Sequence, residues 1–522
     1  MLITLTLLLP LATALVVLLI PRGDDRAVRY TALFGSLATF GFSLTLLGAY
    51  DPSSTIVPDQ GLQLWISENR EWIPSLDIRY HVGVDGISVF MVLLTALLLP
   101  ICVLCSWTSV TQRVREFHVS LLLLETGALG VFVAMDLVLF YIFWEVMLIP
   151  MYLLIGVWGG RNRIRAAVKF IIFTVAGSLL MFLAIIYLYV HLQHLPESGG
   201  FDFHKAGFSI GEIYKCFREA ENRLAEGAQM LCFLAFALSF AIKVPLFPFH
   251  TWLPDAHTEA PTAGSVFLAG VLLKMGTYGF IRFAIPFFPD AAETLAGPIC
   301  VLAIVGIIFG AFMCLMQTDI KRLIAYSSVS HLGFVMLGIF VGLFAVEDLA
   351  GLQRGLTGSL YQMIGHGLST GALFLLVGII YERRHTRHIE DFGGVASVTP
   401  RLATIFLIAT LSSIGVPFLN GFIGEFLILE GTFEASWGYA MFAGTGVILG
   451  AVYMLALYRR VFLGEVTHEE NRTLSDLNPR EMGYLLPLIA LMVILGLFSP
   501  WFTERMAPSI EQWFQQIQLT SR

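Results

Sequence analysis

The sequence predicts an all-α protein that crosses a membrane about fourteen times. Its 522 residues are 57% hydrophobic and only 13% charged, with a mean hydropathy of +0.78, whereas a soluble domain carries about 25% charged residues. The apolar residues stand in long runs rather than in the short alternating segments of a membrane β-barrel. Lysine and arginine collect in alternate short loops, which is typical of polytopic helical proteins. The net charge of −7 is spread along the chain, and no nucleic-acid partner is predicted.

The membrane spans can be placed by length, because a helix needs about 20 apolar residues to cross a bilayer. The fourteen predicted spans are 2–20, 29–49, 86–106, 117–134, 136–156, 167–191, 228–249, 262–285, 297–316, 322–344, 358–381, 401–429, 436–461 and 484–503. Two hydrophilic segments, roughly 51–85 and 192–227, are predicted to be long loops. The first span lacks a basic region before it and a small-residue cleavage site after it, so we expect a retained helix. Residues 1–522 are therefore expected to form a single integral membrane domain.

The distribution of basic residues predicts the orientation of the chain. The loops after spans 1, 3, 5, 9, 11 and 13 and their flanking helix ends carry most of the lysine and arginine. These residues are Arg22, Arg26, Arg29, Arg113, Arg115, Arg161, Arg163, Arg165, Lys321, Arg322, Arg383, Arg384, Arg387, Arg401, Arg459 and Arg460. Because such loops stay on the cytoplasmic side, both termini are predicted to lie outside.

Two proline-containing segments suggest an internal repeat. The run Ile242–Phe247 in span 7 resembles Ile414–Leu419 in span 12, five spans later. An odd offset reverses the direction of the second copy, and inverted repeats with broken helices are typical of transporters. Pro245 and Pro417 are predicted to break their helices, because proline removes a backbone donor and clashes with the preceding turn. The alternative is that both prolines only kink packed helices.

Four ionisable residues lie in the middle of long apolar runs: Glu145, Lys243, Lys274 and Glu425. Each costs roughly 2.5–3.5 kcal/mol at mid-membrane depth, and such residues usually mark an ion path or a proton relay. A lysine with a movable carboxylate partner is a switchable proton site, since burial favours the neutral amine and a carboxylate favours the charged one. Glu145 is the candidate partner of Lys243. A static salt bridge is the alternative.

Two histidines extend this set. His331 in span 10 and His366 in span 11 lie within stripes of hydroxyl and amide side chains at three- and four-residue spacing, which places each stripe on one helix face. Histidine exchanges a proton near neutral pH, so the pair could relay protons within the membrane. The alternative is two hydrogen-bonded core histidines. After span 7, His250, Asp255, His257 and Glu259 fit no standard metal spacing, and a proton funnel or a solvated loop is expected there.

Three long segments resemble the antiporter-like subunits of respiratory complex I, a family that also includes Mrp-type sodium/proton antiporters. They are FWEVMLIPMYLLIGVWGG, KVPLFPFHTWLPDAHTEAPTAGSVFLAGVLLKMGTYGFIRF and KRLIAYSSVSHLGFVMLG. The resemblance assigns proton translocation to Glu145, Lys243, Lys274 and His331, and often to a polar residue of span 11, here His366. Most members carry a lysine in span 12, whereas this chain has Glu425.

The resemblance also implies an architecture and a function. It implies two inverted five-helix repeats, spans 4–8 (117–285) and 9–13 (297–461), with helices 7 and 12 broken. It implies proton pumping driven by NADH oxidation and quinone reduction elsewhere in the complex. The chain has neither a GxGxxG loop after a strand nor a four-cysteine cluster, so FMN, iron–sulfur clusters and quinone are expected in other subunits.

The implied setting is the bacterial inner membrane, with phospholipid around the chain and two antiporter-like siblings on either side among other membrane-arm subunits. Three alternatives stay open at this point. The chain could be an Mrp-type antiporter subunit, a membrane subunit of a hydrogenase-linked complex, or a scaffold in which buried charges only tie helices together.

Overall fold

The computed structural model describes residues 1–50, 58–59, 62–194, 207–218, 224–344 and 349–520. Its first helices are α1 (Leu2–Leu19), α2 (Asp25–Thr45), α3 (Val89–Cys105), α4 (Val114–Val133), α5 (Leu137–Val146), α6 (Leu148–Trp158), α7 (Arg163–Gln193), α8 (Ile210–Arg218), α9 (Glu226–Lys243), α10 (Trp252–Glu259) and α11 (Thr262–Phe267). The remaining helices are α12 (Leu273–Gly279), α13 (Ile285–Phe287), α14 (Pro289–Leu315), α15 (Ile320–Phe340), α16 (Leu349–Arg384), α17 (Pro400–Ser413), α18 (Asn420–Ala435), α19 (Trp437–Phe462), α20 (Pro479–Leu497) and α21 (Ser499–Thr520).

This helical content confirms the predicted fold class. Twelve helical segments of the described chain are long and apolar enough to cross a membrane. The shorter α3 lies within predicted span 3, and α17 forms the first half of predicted span 12. The fourteen crossings and the inverted repeats stay predictions, since length and composition alone do not establish them.

The most deeply buried spans lie at the centre of the bundle. The apolar stretches of Thr262–Phe287, Ile320–Leu343 and Gln353–Arg384 are wholly buried, whereas only 39% of that of Leu2–Leu19 and 33% of that of Pro479–Leu497 is buried. The three central spans carry Lys274, His331 and His366. Their polar side chains therefore face protein rather than lipid.

The two predicted loops are wrong in part. The segment expected as a loop over 51–85 contains a β-hairpin of β3 (Ile66–Ile73) and β4 (Ile78–Val84), paired antiparallel with Ile66 opposite Val84. Its apolar face packs on the bundle, and Val82 and Val84 are fully buried. The other loop contains the short helix α8. A second, two-residue pairing joins β1 (Pro58–Asp59) to β2 (Leu62–Gln63). The remaining parts of both predicted loops lie outside the described residues.

The predicted end of span 14, at residue 503, is also wrong. Helix α20 stops at Leu497, and α21 begins at Ser499 as a separate helix. The last helix packs back on the bundle, because its indole Trp513 Nε1 donates a hydrogen bond of 2.6 Å to the carbonyl of Ile281. An amphipathic helix of this kind lies against protein rather than continuing a membrane span.

Two helices of the bundle are interrupted. Helix α9 ends at Lys243 and α10 starts at Trp252, so the chain around Pro245 is not helical. Helix α17 ends at Ser413 and α18 starts at Asn420. In the second gap Gly415 has a φ of +73°, a left-handed conformation that glycine adopts without steric cost.

Candidate functional site

Lys243 is the last residue of α9, and it is only 1% exposed. Its Nζ lies 5.3 Å from the ring centre of Trp144 and 5.7 Å from that of Phe170. It has no hydrogen-bond partner among the described residues. Aromatic faces stabilise an ammonium group by about 2 kcal/mol or more when it is desolvated, and the helix C-terminus also favours a cation. The rings and the helix end therefore offset part of the cost of burying a charged amine at this position.

Glu145 approaches this lysine but does not bond to it. The residue follows Trp144 in α5 and interacts with Lys243 through space, yet the two form no ion pair within 4.0 Å. The buried Oε1 of Glu145 has no hydrogen-bond partner in the described part of the chain. The structure thus brings the predicted partners near each other and leaves the contact itself open.

Lys274 lies on α12 between two π-helical turns, Leu268–Leu272 and Phe280–Ala284. Its Nζ is 2.5 Å from the carbonyl oxygen of Ala269 and 2.7 Å from Nδ1 of His366. Turns of this type often occur at functional sites. Lysine and imidazole can share one proton here, because the ammonium can donate to the ring or the ring N–H can donate to the amine.

His331 joins this pair to the second broken helix. Its ring centre lies 5.7 Å from that of His366, and its Nδ1 is 2.9 Å from Oε1 of Glu425. The same carboxylate oxygen accepts a 3.0 Å hydrogen bond from Nε2 of Gln362. Lys274 with His366 and His331 with Glu425 are therefore two buried pairs, and no hydrogen bond joins the two histidines in the described residues. We call these four residues, on α12, α16, α15 and α18, the central line.

The break between α17 and α18 is lined by hydroxyl and amide groups. Ser412 Oγ lies 2.6 Å from Ser369 Oγ and donates to Oδ1 of Asn420 at 2.5 Å. Ser413 Oγ lies 3.3 Å from Nε2 of His331. A gap of about 200 Å³ separates these groups from α19, but it is too narrow to admit a water-sized sphere. The Glu425 end of the line is therefore closed to water in this conformation.

The other end of the bundle holds a wider opening. A polar cavity of about 270 Å³ is lined by Asn162, Arg165, Ala166, Asp255, Thr258, Glu259 and Arg322. Next to it, Nζ of Lys169 pairs with Asp255 at 2.7 Å. The alternative of a solvated loop over 250–259 is wrong, because most of the segment is helix α10 and His257 is fully buried against the ring of Phe374, 4.6 Å away.

His257 lies between this cavity and the central line. It is within electrostatic range of Lys274 and of Lys321. Both of its ring nitrogens are without a hydrogen-bond partner in the described residues. The Nζ of Lys321 in turn donates to the carbonyl of Ala260 at 2.5 Å. Buried groups capable of exchanging protons thus continue from Lys274 toward the cavity.

A family model described as NADH:quinone oxidoreductase/Mrp antiporter, TM matches residues 134–450. The chain belongs to this family. The matched region contains both helix breaks and every residue of the central line.

Relatives within the family extend the match over nearly the whole chain. The NADH-quinone oxidoreductase subunit M of Rhodobacter capsulatus is 44% identical over 513 residues, which cover 97% of this chain and 95% of the relative. A chain of respiratory complex I from Thermus thermophilus superposes with a TM-score of 0.84 at 31% identity. The match covers 99% of this chain and 100% of the Thermus chain. A chain of the Mrp complex from Dietzia sp. DQ12-45-1b has a TM-score of 0.78 at 20% identity, over 98% of this chain and 52% of its own, and that likeness shows the fold alone.

The tertiary structure brings some predicted residues together and leaves others apart. Lys274 contacts His366 and His331 contacts Glu425, whereas Lys243 lies beside the rings of Trp144 and Phe170 and is not bonded to Glu145. Lys321 was expected among the charges of the cytoplasmic loops, yet it is only 6% exposed. The signal that could have revealed its burial is its position at the start of an apolar span.

Proposed function

We propose that this chain is a proton-translocating membrane-arm subunit of NADH:quinone oxidoreductase. The similarity to subunit M of Rhodobacter capsulatus over 97% of the chain supports this assignment above an Mrp-type antiporter, since the Mrp likeness is one of fold. The chain works within a multi-subunit complex. NADH oxidation and quinone reduction, with FMN and iron–sulfur clusters, are assigned to other subunits, and this chain supplies no redox centre.

The proposed path starts at the cavity beside Asp255. Protons move through His257 to the amine of Lys274, which passes them to Nδ1 of His366. The short step to His331 then delivers them to the carboxylate of Glu425. Release follows when the break between α17 and α18 opens to water. The distribution of basic residues in the loops supports an intake on the cytoplasmic side, with release and both termini on the periplasmic side.

The single observation that carries this path is the presence of two buried contacts, Lys274 with His366 and His331 with Glu425, whose two histidine rings have centres 5.7 Å apart. Lys274 and His366 are 2.7 Å apart, and His331 and Glu425 are 2.9 Å apart. Both contacts are buried inside a bundle in which an isolated charge would be costly. Groups that already share a proton can exchange it with little movement.

Lys243 and Glu145 are proposed to control the path rather than to carry it. A charge change in a neighbouring antiporter-like subunit draws Glu145 toward or away from Lys243, and this changes the field at Lys274. Moving one proton against 100 mV costs about 2.3 kcal/mol, so the making of one ion pair can be enough to gate it. Each of the two five-helix halves, 117–285 and 297–461, would contribute one broken helix to this control.

The test is proton pumping by the assembled complex in membrane vesicles. Lys243→Ala and Glu145→Ala should each reduce the protons moved per NADH oxidised, with the complex still assembled. If both variants pump as the native complex does, Lys243 and Glu145 do not control the path. Sodium-dependent proton flux without NADH would favour the Mrp-type alternative, and hydrogen-dependent pumping with co-purified nickel would favour the hydrogenase-linked one. Loss of assembly with unchanged pumping per assembled complex would favour a scaffold.

A further inference from the structure

A narrow gap separates the carboxylate of Glu425 from the outer helix α19. On the α19 side it is lined by Gly446, Gly450 and Tyr453, and His331 and Glu425 lie opposite them. Its volume is about 200 Å³, although it is too narrow to admit a water-sized sphere. The path proposed above ends at Glu425 and gives no role to any residue of α19.

Glycine residues of α19 create this gap. The nearest side-chain atom to a Cβ atom at Gly450 would be the hydroxyl oxygen of Tyr453, at 3.9 Å. A Cβ atom at Gly446 would instead overlap the side chain of Ile307 on α14, so only glycine allows the two helices to approach this closely. Helix α19 is therefore held against α14 at Gly446 and leaves space beside Gly450.

The hydroxyl group of Tyr453 faces this space. The residue is 2% exposed, and its hydroxyl turns back over Gly450, one turn earlier on the same helix. Two titratable groups act on it through space, the carboxylate of Glu425 and the thiol of Cys314. The thiol already donates to the carbonyl oxygen of Leu323 at 3.3 Å. No hydrogen bond of the tyrosine hydroxyl occurs within the described ranges of the chain, so it can still donate one and accept others.

The opposite wall of the gap carries the partners that a water molecule needs. Oγ of Ser413 lies 3.3 Å from Nε2 of His331, and the hydroxyl of Ser330 and the carboxylate of Glu425 also line the gap. An ordered buried water makes about two to four hydrogen bonds to such groups. These residues and Tyr453 therefore form a polar chamber that lacks only width.

Helix α19 is the wall that can move. Only 33% of its apolar stretch is buried, whereas that of Ile320–Leu343, on the other side of the gap, is wholly buried. A small outward shift of α19 therefore separates fewer packed side chains than a shift of α15 would. Such a shift widens the gap beside Gly450 and leaves the contact between His331 and Glu425 intact.

We propose that Tyr453 is a positioning residue for the release of protons from Glu425. With α19 shifted outward, its hydroxyl group holds the water that receives the proton. The O–H bond of the Glu425 carboxylic acid breaks, an O–H bond forms on this water, and the hydrated proton leaves through the widened gap. The carboxylate that remains keeps its hydrogen bond from Nε2 of Gln362. This assignment rests on the proposed function and defines its release step.

The first test is Tyr453→Phe in the whole complex, which removes the hydroxyl group and keeps the ring. The rate of NADH-driven proton pumping in membrane vesicles should fall by roughly 2- to 10-fold, the effect that the loss of one hydrogen bond has on a rate. Tyr458→Phe is the matched control. Tyr458 is also buried on α19, but its hydroxyl donates to the carbonyl oxygen of Ala403 at 3.3 Å, so pumping should stay native.

A second measurement separates positioning from packing. Difference infrared spectroscopy during NADH-driven turnover should show the carbonyl stretch of protonated Glu425, which Glu425→Gln identifies by removing it. In Tyr453→Phe this band should move, because the water is no longer held against the carboxyl group by the hydroxyl group. A ring that only fills space would leave the band at its native position, as Tyr458→Phe should.

The width of the gap is tested by Gly450→Ala. The added methyl group makes an ordinary contact with the hydroxyl of Tyr453, so the subunit should assemble, but the methyl group occupies the space that water needs. The pumping rate should therefore fall in this variant. Gly444→Ala on the same helix is its control, because a Cβ atom there meets no atom of the described residues within 4 Å, and its pumping should stay native.

The assignment of Tyr453 is overturned if Tyr453→Phe keeps either the native pumping rate or the native carboxyl band. If Tyr453→Phe does not assemble, Gly450→Ala decides, and native pumping in that variant overturns the assignment. Glu425→Gln distinguishes this failure from that of the proposed function. Defective pumping in Glu425→Gln together with native behaviour of Tyr453→Phe overturns the role of Tyr453 alone, whereas native pumping in Glu425→Gln contradicts the proposed path itself.

Discussion

Nδ1 of His331 lies 2.9 Å from Oε1 of Glu425, although the two residues are 94 positions apart in the chain. The contact joins the continuous helix α15 to the first turns of α18, just after a helix break. It brings a titratable ring and a carboxylate to within one proton transfer of each other. The four variants below change Glu425 in this contact, Lys274, Glu145 and the buried pair of Asp85 and Arg282.

Glu425→Gln should abolish most proton pumping, because the amide keeps the shape of the side chain but cannot take up or release a proton. Assembly should be retained, since Gln362 and His331 can still hydrogen-bond to the amide oxygen. The measurement is the ratio of protons moved to NADH oxidised in vesicles. Glu430→Gln is the matched control on the same helix, as Glu430 is 36% exposed and only 3.4 Å from Arg354. Native pumping in Glu425→Gln would contradict the path.

Lys274→Arg should be nearly as defective as Lys274→Ala. The guanidinium keeps the positive charge but does not release its proton in a protein, so it cannot pass a proton to His366. Pumping is again measured per NADH oxidised. Lys215→Arg serves as the control, because that lysine is 38% exposed and pairs with Glu212 of the same short helix, so the variant should stay close to native. Full activity in Lys274→Arg would show that charge alone, and not proton exchange, is needed there.

Glu145→Asp should retain much of the coupling, whereas Glu145→Gln should lose it. The proposed role of Glu145 acts through its charge at a distance from Lys243, and aspartate keeps that charge. The neutral amide removes the attraction at any distance. The exposed Glu226 at the start of α9 provides the control Glu226→Gln. Equal pumping by the two Glu145 variants would argue against an electrostatic role.

Asp85→Asn should destabilise the subunit by about 3–5 kcal/mol, because it leaves the buried Arg282 without its anion. The double variant Asp85→Asn with Arg282→Met should recover much of the loss, since no unpaired charge remains. Thermal dissociation of the purified complex measures both. Arg472→Gln is the surface control, because its pair with Glu469 is exposed and such pairs contribute about 0–1 kcal/mol. A double variant no more stable than Asp85→Asn would refute this account.

Some features of the site could be predicted from local sequence. Lys243 and Lys274 stand in apolar runs, so their burial follows from the cost of exposing such runs to water. The stripe of Ser359, Gln362 and His366 follows from helical periodicity, because residues three or four apart share one face. Pro245 and Pro417 lie in interruptions that proline and glycine chemistry explains.

Other features could not be read in this way. The hairpin of β3 and β4 was hidden in a segment that looked hydrophilic, since its burial depends on the bundle beneath it. His257 appeared solvated because its immediate neighbours are polar, yet Phe374 from a distant helix covers it.

The sequence by itself determined the helical membrane class, the burial of Lys243 and Lys274, and the helix face on which His366 lies. These properties depend on hydrophobicity and on the 3.6-residue period, which are local. Only the tertiary structure decided that Lys274 meets His366, that His331 meets Glu425, and that Lys243 meets aromatic rings instead of Glu145. Such pairings depend on how helices far apart in the chain pack and where they break, and no local pattern encodes that geometry.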